Sequence, residues 1–167
     1  IEIPATYTEY TYKDSKLETR CKSYAHNLQA GKIIGKHNGA HYYTIGQRKG
    51  LNIGGTPEPL FILDTDTNNN IIYTGQGENH PGLYRDGLFV PEKDIHFTRE
   101  DLPLKNGDIK KYSCRIRYRQ ALTTATFHKK VDGLYVIFDE PQRGITPGQF
   151  IAWYLEDELI GSGVIDR

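Results

Sequence analysis

Lys111-Tyr112-Ser113-Cys114-Arg115-Ile116-Arg117-Tyr118-Arg119 alternates polar or basic residues at odd positions with Tyr, Cys, Ile and Tyr at even positions. A period of two is the signature of a strand with one buried face. It places three guanidiniums on the other face, roughly 6–7 Å apart, which is close to the spacing of successive phosphates. The stretch belongs to a larger basic island. Residues 110–130 hold seven Lys/Arg (Lys110, Lys111, Arg115, Arg117, Arg119, Lys129, Lys130) and no Asp or Glu, while residues 131–167 hold seven acids against Arg143 and Arg167. The chain as a whole is balanced, with 21 basic and 21 acidic residues. The positive field is therefore local, and it suits a polyanion such as nucleic acid. A solvated outer face of an amphipathic strand is the plainer reading of the same pattern.

Further strand patterns flank this one. They lie around Leu88–Val90, Lys111–Tyr118, Thr123–His128, Gly133–Phe138, Phe150–Leu155 and Leu159–Val164. Asn106-Gly107, Asp132-Gly133 and Pro147-Gly148 supply turns among them. Six short strands without a helix predict a small antiparallel barrel. Upstream, Leu60–Leu63 and Ile71–Tyr73 flank the turn-forming run Asp64–Asn70 and predict a hairpin. A second hairpin is expected where Lys32-Ile33-Ile34 and His41–Ile45 enclose Asn38-Gly39. Residues 13–30 carry helical spacing at Leu17, Cys21, Tyr24, Ala25 and Leu28, with Asp14 or Ser15 as cap and Gly31 as stop. Residues 1–12 read as an edge strand. The expected class is mainly β: a small central α+β domain followed by a C-terminal antiparallel barrel of about six strands. Residues 75–87, with four glycines and a proline, read as the boundary.

With 167 residues the chain can bury a core without disulfides. Its two cysteines, Cys21 and Cys114, have no metal-ligand spacing and fit a reducing, cytoplasmic setting. No apolar run reaches the length of a membrane span. The chain begins at Ile1 and contains no methionine, which reads as a piece of a longer protein. No phosphate-binding loop of Walker or dinucleotide type occurs. His37 and His41 flank a turn and do not make a metal site. Arg20 and Lys22 flank Cys21, but its place on the apolar stripe reads as core.

One set of stretches is recognisable. Tyr43-Thr44-Ile45-Gly46-Gln47-Arg48-Lys49-Gly50-Leu51, Arg117-Tyr118-Arg119-Gln120, Phe138-Asp139-Glu140-Pro141-Gln142-Arg143, Thr146-Pro147-Gly148-Gln149 and Gly161-Ser162-Gly163-Val164-Ile165 occur in this order. Together they resemble the tRNA-specific 2-thiouridylases over roughly residues 31–166. The resemblance implies a segment 1–30 of unclear match, a central domain at 31–82 and a β-barrel domain at 83–167. It implies the tRNA-binding portion of an ATP-dependent enzyme that thiolates C2 of the wobble uridine. The family's Ser-Gly-Gly-x-Asp-Ser loop and catalytic cysteines have no counterpart here, so no cofactor and no activity are expected of this chain alone. ATP belongs to an N-terminal ATP-pyrophosphatase domain, and a sulfur-donor protein is a further expected partner. By the same resemblance Arg117, Tyr118 and Gln149 contact tRNA. Gln47, Arg48, Arg119 and Gln120 are secondary contacts, either to RNA or to the catalytic domain. For the other matched residues the plainer reading is structural: Gly46, Gly50 and Gly148 are expected to serve turns, and Asp139 to pair with Arg143. A barrel adaptor in translation or RNA handling, without catalysis, is the alternative; a sugar- or protein-binding β module fits the acid-free stretch less well.

Overall fold

The computed structural model describes residues 1–11 and 16–166. Two compact units emerge: Ile1–Tyr12 with Tyr24–Tyr84, and Lys13–Ser23 with Arg85–Arg167. The architecture is mainly β.

The first unit is built on the antiparallel hairpin β1 (Leu60–Asp66) and β2 (Ile71–Gln76), whose register shifts between Ile62 and Asp64. The extreme N-terminus joins it. Ile3 N donates to Thr74 O (2.7 Å), and Thr74 N donates to Ile1 O (2.7 Å). These contacts and an antiparallel bridge between Glu2 and Lys32 (2.8 and 3.0 Å) stand in place of the edge strand expected over residues 1–12, whose last residue lies outside the described ones, because the chain then turns into a single 3-10 turn at Thr8–Tyr10. The hairpin expected over 32–45 does not form. Gly39 has φ +156°, Ala40 N is taken by Asn70 Oδ1 (2.8 Å), and Ala40–Tyr42 makes a 3-10 turn. The apolar residues of this stretch, Ile34, Ala40 and Tyr43, pack with Leu51, Leu60, Ile62 and Ile72 instead of alternating across a ladder.

The second unit is a seven-stranded sheet in the order β3-β7-β6-β5-β8-β9-β4. Its strands are β3 (Tyr84–Pro91), β4 (Ile95–Phe97), β5 (Ile109–Arg115), β6 (Thr123–Lys130), β7 (Gly133–Arg143), β8 (Phe150–Leu155) and β9 (Glu158–Val164). The two edge strands, β3 and β4, are separated in sequence by only the 3-10 turn Glu92–Asp94. The sheet must therefore curl until its edges approach, and Asp166 N donating to Phe89 O (3.0 Å) helps to close the gap. This is a half-barrel filled by one core, with Trp153, Phe127, Leu134, Ile151 and Ile160 almost fully buried. Six strands fall where the alternation predicts them. β4 is the addition; three residues are too few to carry a visible period.

The helix expected over 13–30 is limited among the described residues to α1 (Leu17–Arg20), and its expected caps Asp14 and Ser15 lie outside them. Cys21 follows α1 and packs in a small cluster with Phe89 and Tyr135. It is fully buried, and desolvation pushes its thiol up to about 12. Cys114, inside the barrel core, is pushed up to about 12 by the same cause. No group of three metal-ligating side chains occurs among the described residues, and no helix there is long and apolar enough to cross a membrane.

Candidate nucleic-acid interface

β5 ends at Arg115, three residues earlier than the strand expected over Lys111–Tyr118. Ile116 still turns inward, but Arg117, Tyr118 and Arg119 sit in the turn that follows. Leaving the strand frees neighbouring side chains from pointing to opposite faces, so Arg117 and Tyr118 can serve one surface. Gln120 shapes that turn. Its Oε1 accepts from Ile116 N (3.2 Å), and its Nε2 donates to Gln142 Oε1 (2.6 Å). The amide is committed to the loop and is not presented outward.

β8 supplies the opposite side. Ser113 pairs with Tyr154 and Arg115 with Ala152, so Phe150, Ala152 and Tyr154 share the outward face beside β5. Ala152 is small, and a concavity of about 620 Å³ opens over it. Arg117, Tyr118, Gln149 and Phe150 also line this groove. The three residues singled out by sequence thus meet in one place.

Each has a distinct environment. Arg115 lies between two rings: its guanidinium carbon is 5.2 Å from the Tyr154 centroid and 5.7 Å from that of Tyr118. Its Nε donates to Tyr154 Oη (3.1 Å) and its Nη1 to Tyr118 O (3.0 Å). That arrangement holds Tyr118 although the ring is 85% exposed. Phe150 presents a second exposed ring, 62% accessible. Arg117 turns Nη2 back onto the protein, donating to Arg143 O (3.0 Å) and Gly144 O (2.9 Å). Those carbonyls begin the turn that carries Gln149, so one guanidinium ties the two halves of the groove together. Burial, and then the like charge of Arg143, pull the Arg117 pKa below its ordinary value. The fully solvated arginine expected from alternation is thus partly structural. Gln149 Oε1 is buried and has no hydrogen-bond partner among the described residues. An unmet buried acceptor costs about 1–3 kcal/mol, and here it borders an open groove.

The rest of the basic island is less available than its composition implies. Lys111 pairs with Asp139 (2.8 Å), the acid expected to pair with Arg143. Lys130 pairs with Glu18 (2.6 Å). Lys129 is buried, pairs with Glu92 (2.6 Å) and donates to Asn106 Oδ1 (2.9 Å). Lys110 and Arg119 are exposed and have no ion-pair partner among the described residues.

In the first unit, Gln47 is taken up locally: Oε1 accepts from Thr44 N (3.0 Å) and Nε2 donates to Lys49 O (2.8 Å). The flanking Gly46 and Gly50 have φ +83° and +88°, a left-handed backbone that explains the glycines. Gly148 (φ +85°) has the same role beside Gln149. Arg48 lines a different concavity, with Glu58 and Glu78.

Residues 16–76 match the family described as tRNA methyl transferase PRC-barrel domain, and residues 89–165 match the Aminomethyltransferase beta-barrel domain. The tRNA-specific 2-thiouridylase MnmA of Christiangramia forsetii is 51% identical over 99% of this chain and 44% of its own length. That of Flavobacterium johnsoniae is 55% identical over 92% of this chain and 38% of its own length. That of Chlamydia trachomatis is 42% identical over 81% and 36%.

The chain belongs to the tRNA-specific 2-thiouridylase family.

It spans less than half the length of these curated relatives. Arg117 to Gln149, the segment that frames the groove, lies wholly within the 89–165 match to the Aminomethyltransferase beta-barrel domain.

Proposed function

We propose that this chain is the tRNA-binding portion of an ATP-dependent tRNA 2-thiouridylase that replaces the C2 oxygen of the wobble uridine with sulfur. The observation that carries this reading is the convergence of Arg117, Tyr118 and the unpartnered Gln149 Oε1 on one groove. A base must leave its stack before its C2 can react, so the enzyme has to grip backbone and unpaired neighbours. Tyr118 and Phe150 offer stacking faces. The Arg117 guanidinium, anchored through Nη2, offers its remaining N–H groups to a phosphate. Gln149 Oε1 accepts from a base N–H or a ribose hydroxyl. Arg119 adds charge at the rim.

The reading implies ATP; the one α-helix among the described residues is Leu17–Arg20, a single turn that offers no phosphate cradle of the helix N-terminal kind. ATP, the reacting cysteines and the contact with a sulfur donor are assigned to an N-terminal domain outside this sequence, in a cytoplasmic enzyme. The division at 31–82 and 83–167 belongs to the same reading.

Gln149→Leu tests it. Leucine keeps the bulk and removes the unmet acceptor, so a purely structural glutamine predicts equal or higher stability and unchanged tRNA affinity. The proposal predicts equal or higher stability together with roughly tenfold weaker binding of a tRNA with wobble uridine, about 1.4 kcal/mol. Unchanged affinity in a folded Gln149→Leu protein refutes the groove as the tRNA site.

A further inference from the structure

The groove of the second unit is not the only cationic surface. Residues 19–57 contain six Lys/Arg and no Asp or Glu, a longer acid-free run than the island at 110–130. Four of these cations, Lys32, Lys36, Arg48 and Lys49, belong to the first unit. All four are exposed, and none has an ion-pair partner among the described residues.

The fold gathers two of them. Gly35 lies so close to Ile53 that an added Cβ would stand 2.9 Å from Ile53 Cδ1. The His37 ring packs edge-on against Tyr43 at 5.9 Å, and Tyr43 Oη donates to Gly50 O (3.4 Å). The Lys36 turn and the Lys49 turn are therefore held on either side of Tyr43. Next to it, Tyr42 is 69% exposed and rests against His41, with ring centroids 4.0 Å apart. The backbone beneath is tied down by Ala40 N to Asn70 Oδ1 (2.8 Å) and by Gly46 N to Ile62 O (2.7 Å). Asp66, at the start of the turn that ends with Asn70, has its carboxylate turned onto Asn69 N and Nδ2 (3.0 and 2.7 Å). Arg48 faces the separate concavity shared with Glu58 and Glu78 and stands apart from this arrangement.

We infer that Lys36, Lys49 and the Tyr42–His41 pair form a second RNA contact, taking an unpaired segment of the tRNA substrate. Two unpaired ammonium groups neutralise phosphates, and an exposed ring backed by another ring offers a base a rigid stacking face. An acidic protein segment satisfies the lysines but has no use for the exposed Tyr42 ring, which His41 supports at a 43° tilt, and this favours RNA. The inference rests on the tRNA reading above and adds a contact that the barrel does not supply.

The test uses the full-length protein and an unmodified transcript of a tRNA with wobble uridine, titrated with salt by fluorescence anisotropy. The double variant Lys36→Gln/Lys49→Gln should make the log–log salt dependence shallower by about 1.4 units, two single-strand phosphate contacts. Tyr42→Ala should weaken binding roughly tenfold and Tyr42→Phe should restore it, as stacking requires. Ultraviolet cross-linking of the unaltered protein to 5-iodouridine-substituted transcript should place an adduct within residues 36–49, a readout independent of how the variants fold. An unchanged salt slope with no adduct there, while Arg117→Ala still weakens binding, overturns this contact and leaves the proposed function standing. Loss at neither place overturns both. A double variant that binds RNA normally but loses an acidic protein partner assigns the surface to that partner.

Discussion

Removing the Arg117 side chain should do two separable things. In the folded protein Nη2 spans the carbonyls of Arg143 and Gly144 at 3.0 and 2.9 Å, joining the end of β5 to the turn before Gln149. A charged donor to a neutral acceptor contributes about 1.5–3 kcal/mol net. One nitrogen shared by two carbonyls at a half-exposed site belongs near the lower end, so Arg117→Ala should cost about 2 kcal/mol. For a domain of this size that is roughly 8–16 °C in Tm. If the rest of the guanidinium meets a phosphate, tRNA affinity should also fall by about 1–3 kcal/mol. The log–log salt slope should become shallower by about 0.7–0.9. Arg117→Lys separates the effects. It keeps the charge and so most of the salt slope, but its single nitrogen cannot hold both carbonyls and also meet a phosphate as a guanidinium does, so Tm should still fall. The assays are calorimetric melting and a salt titration of tRNA binding at a temperature where every variant is folded. An Arg117→Ala protein that melts like the parent refutes the anchoring geometry. One that melts lower but binds tRNA with an unchanged slope shows an arginine that is structural only.

Three further outcomes follow from burial and close packing. Cys21 and Cys114, whose thiols are pushed up to about 12, should resist alkylation at neutral pH in the folded chain and react only after denaturation; fast labelling of Cys21 would contradict its burial. His80 is buried, accepts from Gly82 N through Nδ1 (3.1 Å) and donates from Nε2 to Ile3 O (3.0 Å), so it must be neutral, and burial lowers its pKa. The unfolded chain then binds the extra proton first, so its contribution is complete above about pH 6.5 and is lost as pH falls through the lowered folded value. Urea midpoints should decline from about pH 6.5 downward more steeply in wild type than in His80→Gln. A Cβ at Gly161 would lie 2.2 Å from Trp153 Cζ2, so Gly161→Ala should destabilise the barrel by about 1–3 kcal/mol or prevent its folding; a wild-type melt would mean the indole is placed elsewhere.

What the sequence revealed depended on how far each determinant lies along the chain. Alternation is local. It located β5, β6, β8 and β9 because their inward residues sit two apart, and it missed β4 because three residues carry no pattern. The failed hairpin at 32–45 had a strong turn signal, Asn38-Gly39, but the outcome was decided at a distance by Asn70 and by the core around Leu60 and Ile62. The basic island shows the same limit in charge. Its count of seven treated all cations alike, yet Lys130 finds its acid at Glu18, 112 residues away, and Lys129 is buried against Glu92. Arg117 and Arg119 read as equals in the alternation, but only Arg117 reaches the carbonyls 26 and 27 residues on. The motif resemblance picked out Arg117, Tyr118 and Gln149 without saying why they act together. The geometry supplies the reason. β5 stops early enough to release Tyr118, Ala152 leaves a hollow on β8, and Arg115 locks the exposed ring above it. Arg115 and Ala152 therefore shape the groove as much as the residues that line its mouth, and neither signals this role in the sequence. The acid-free run at 19–57 was legible from composition, but its cations are spread over loops without a period. Only the packing around Tyr43 shows which of them share a surface.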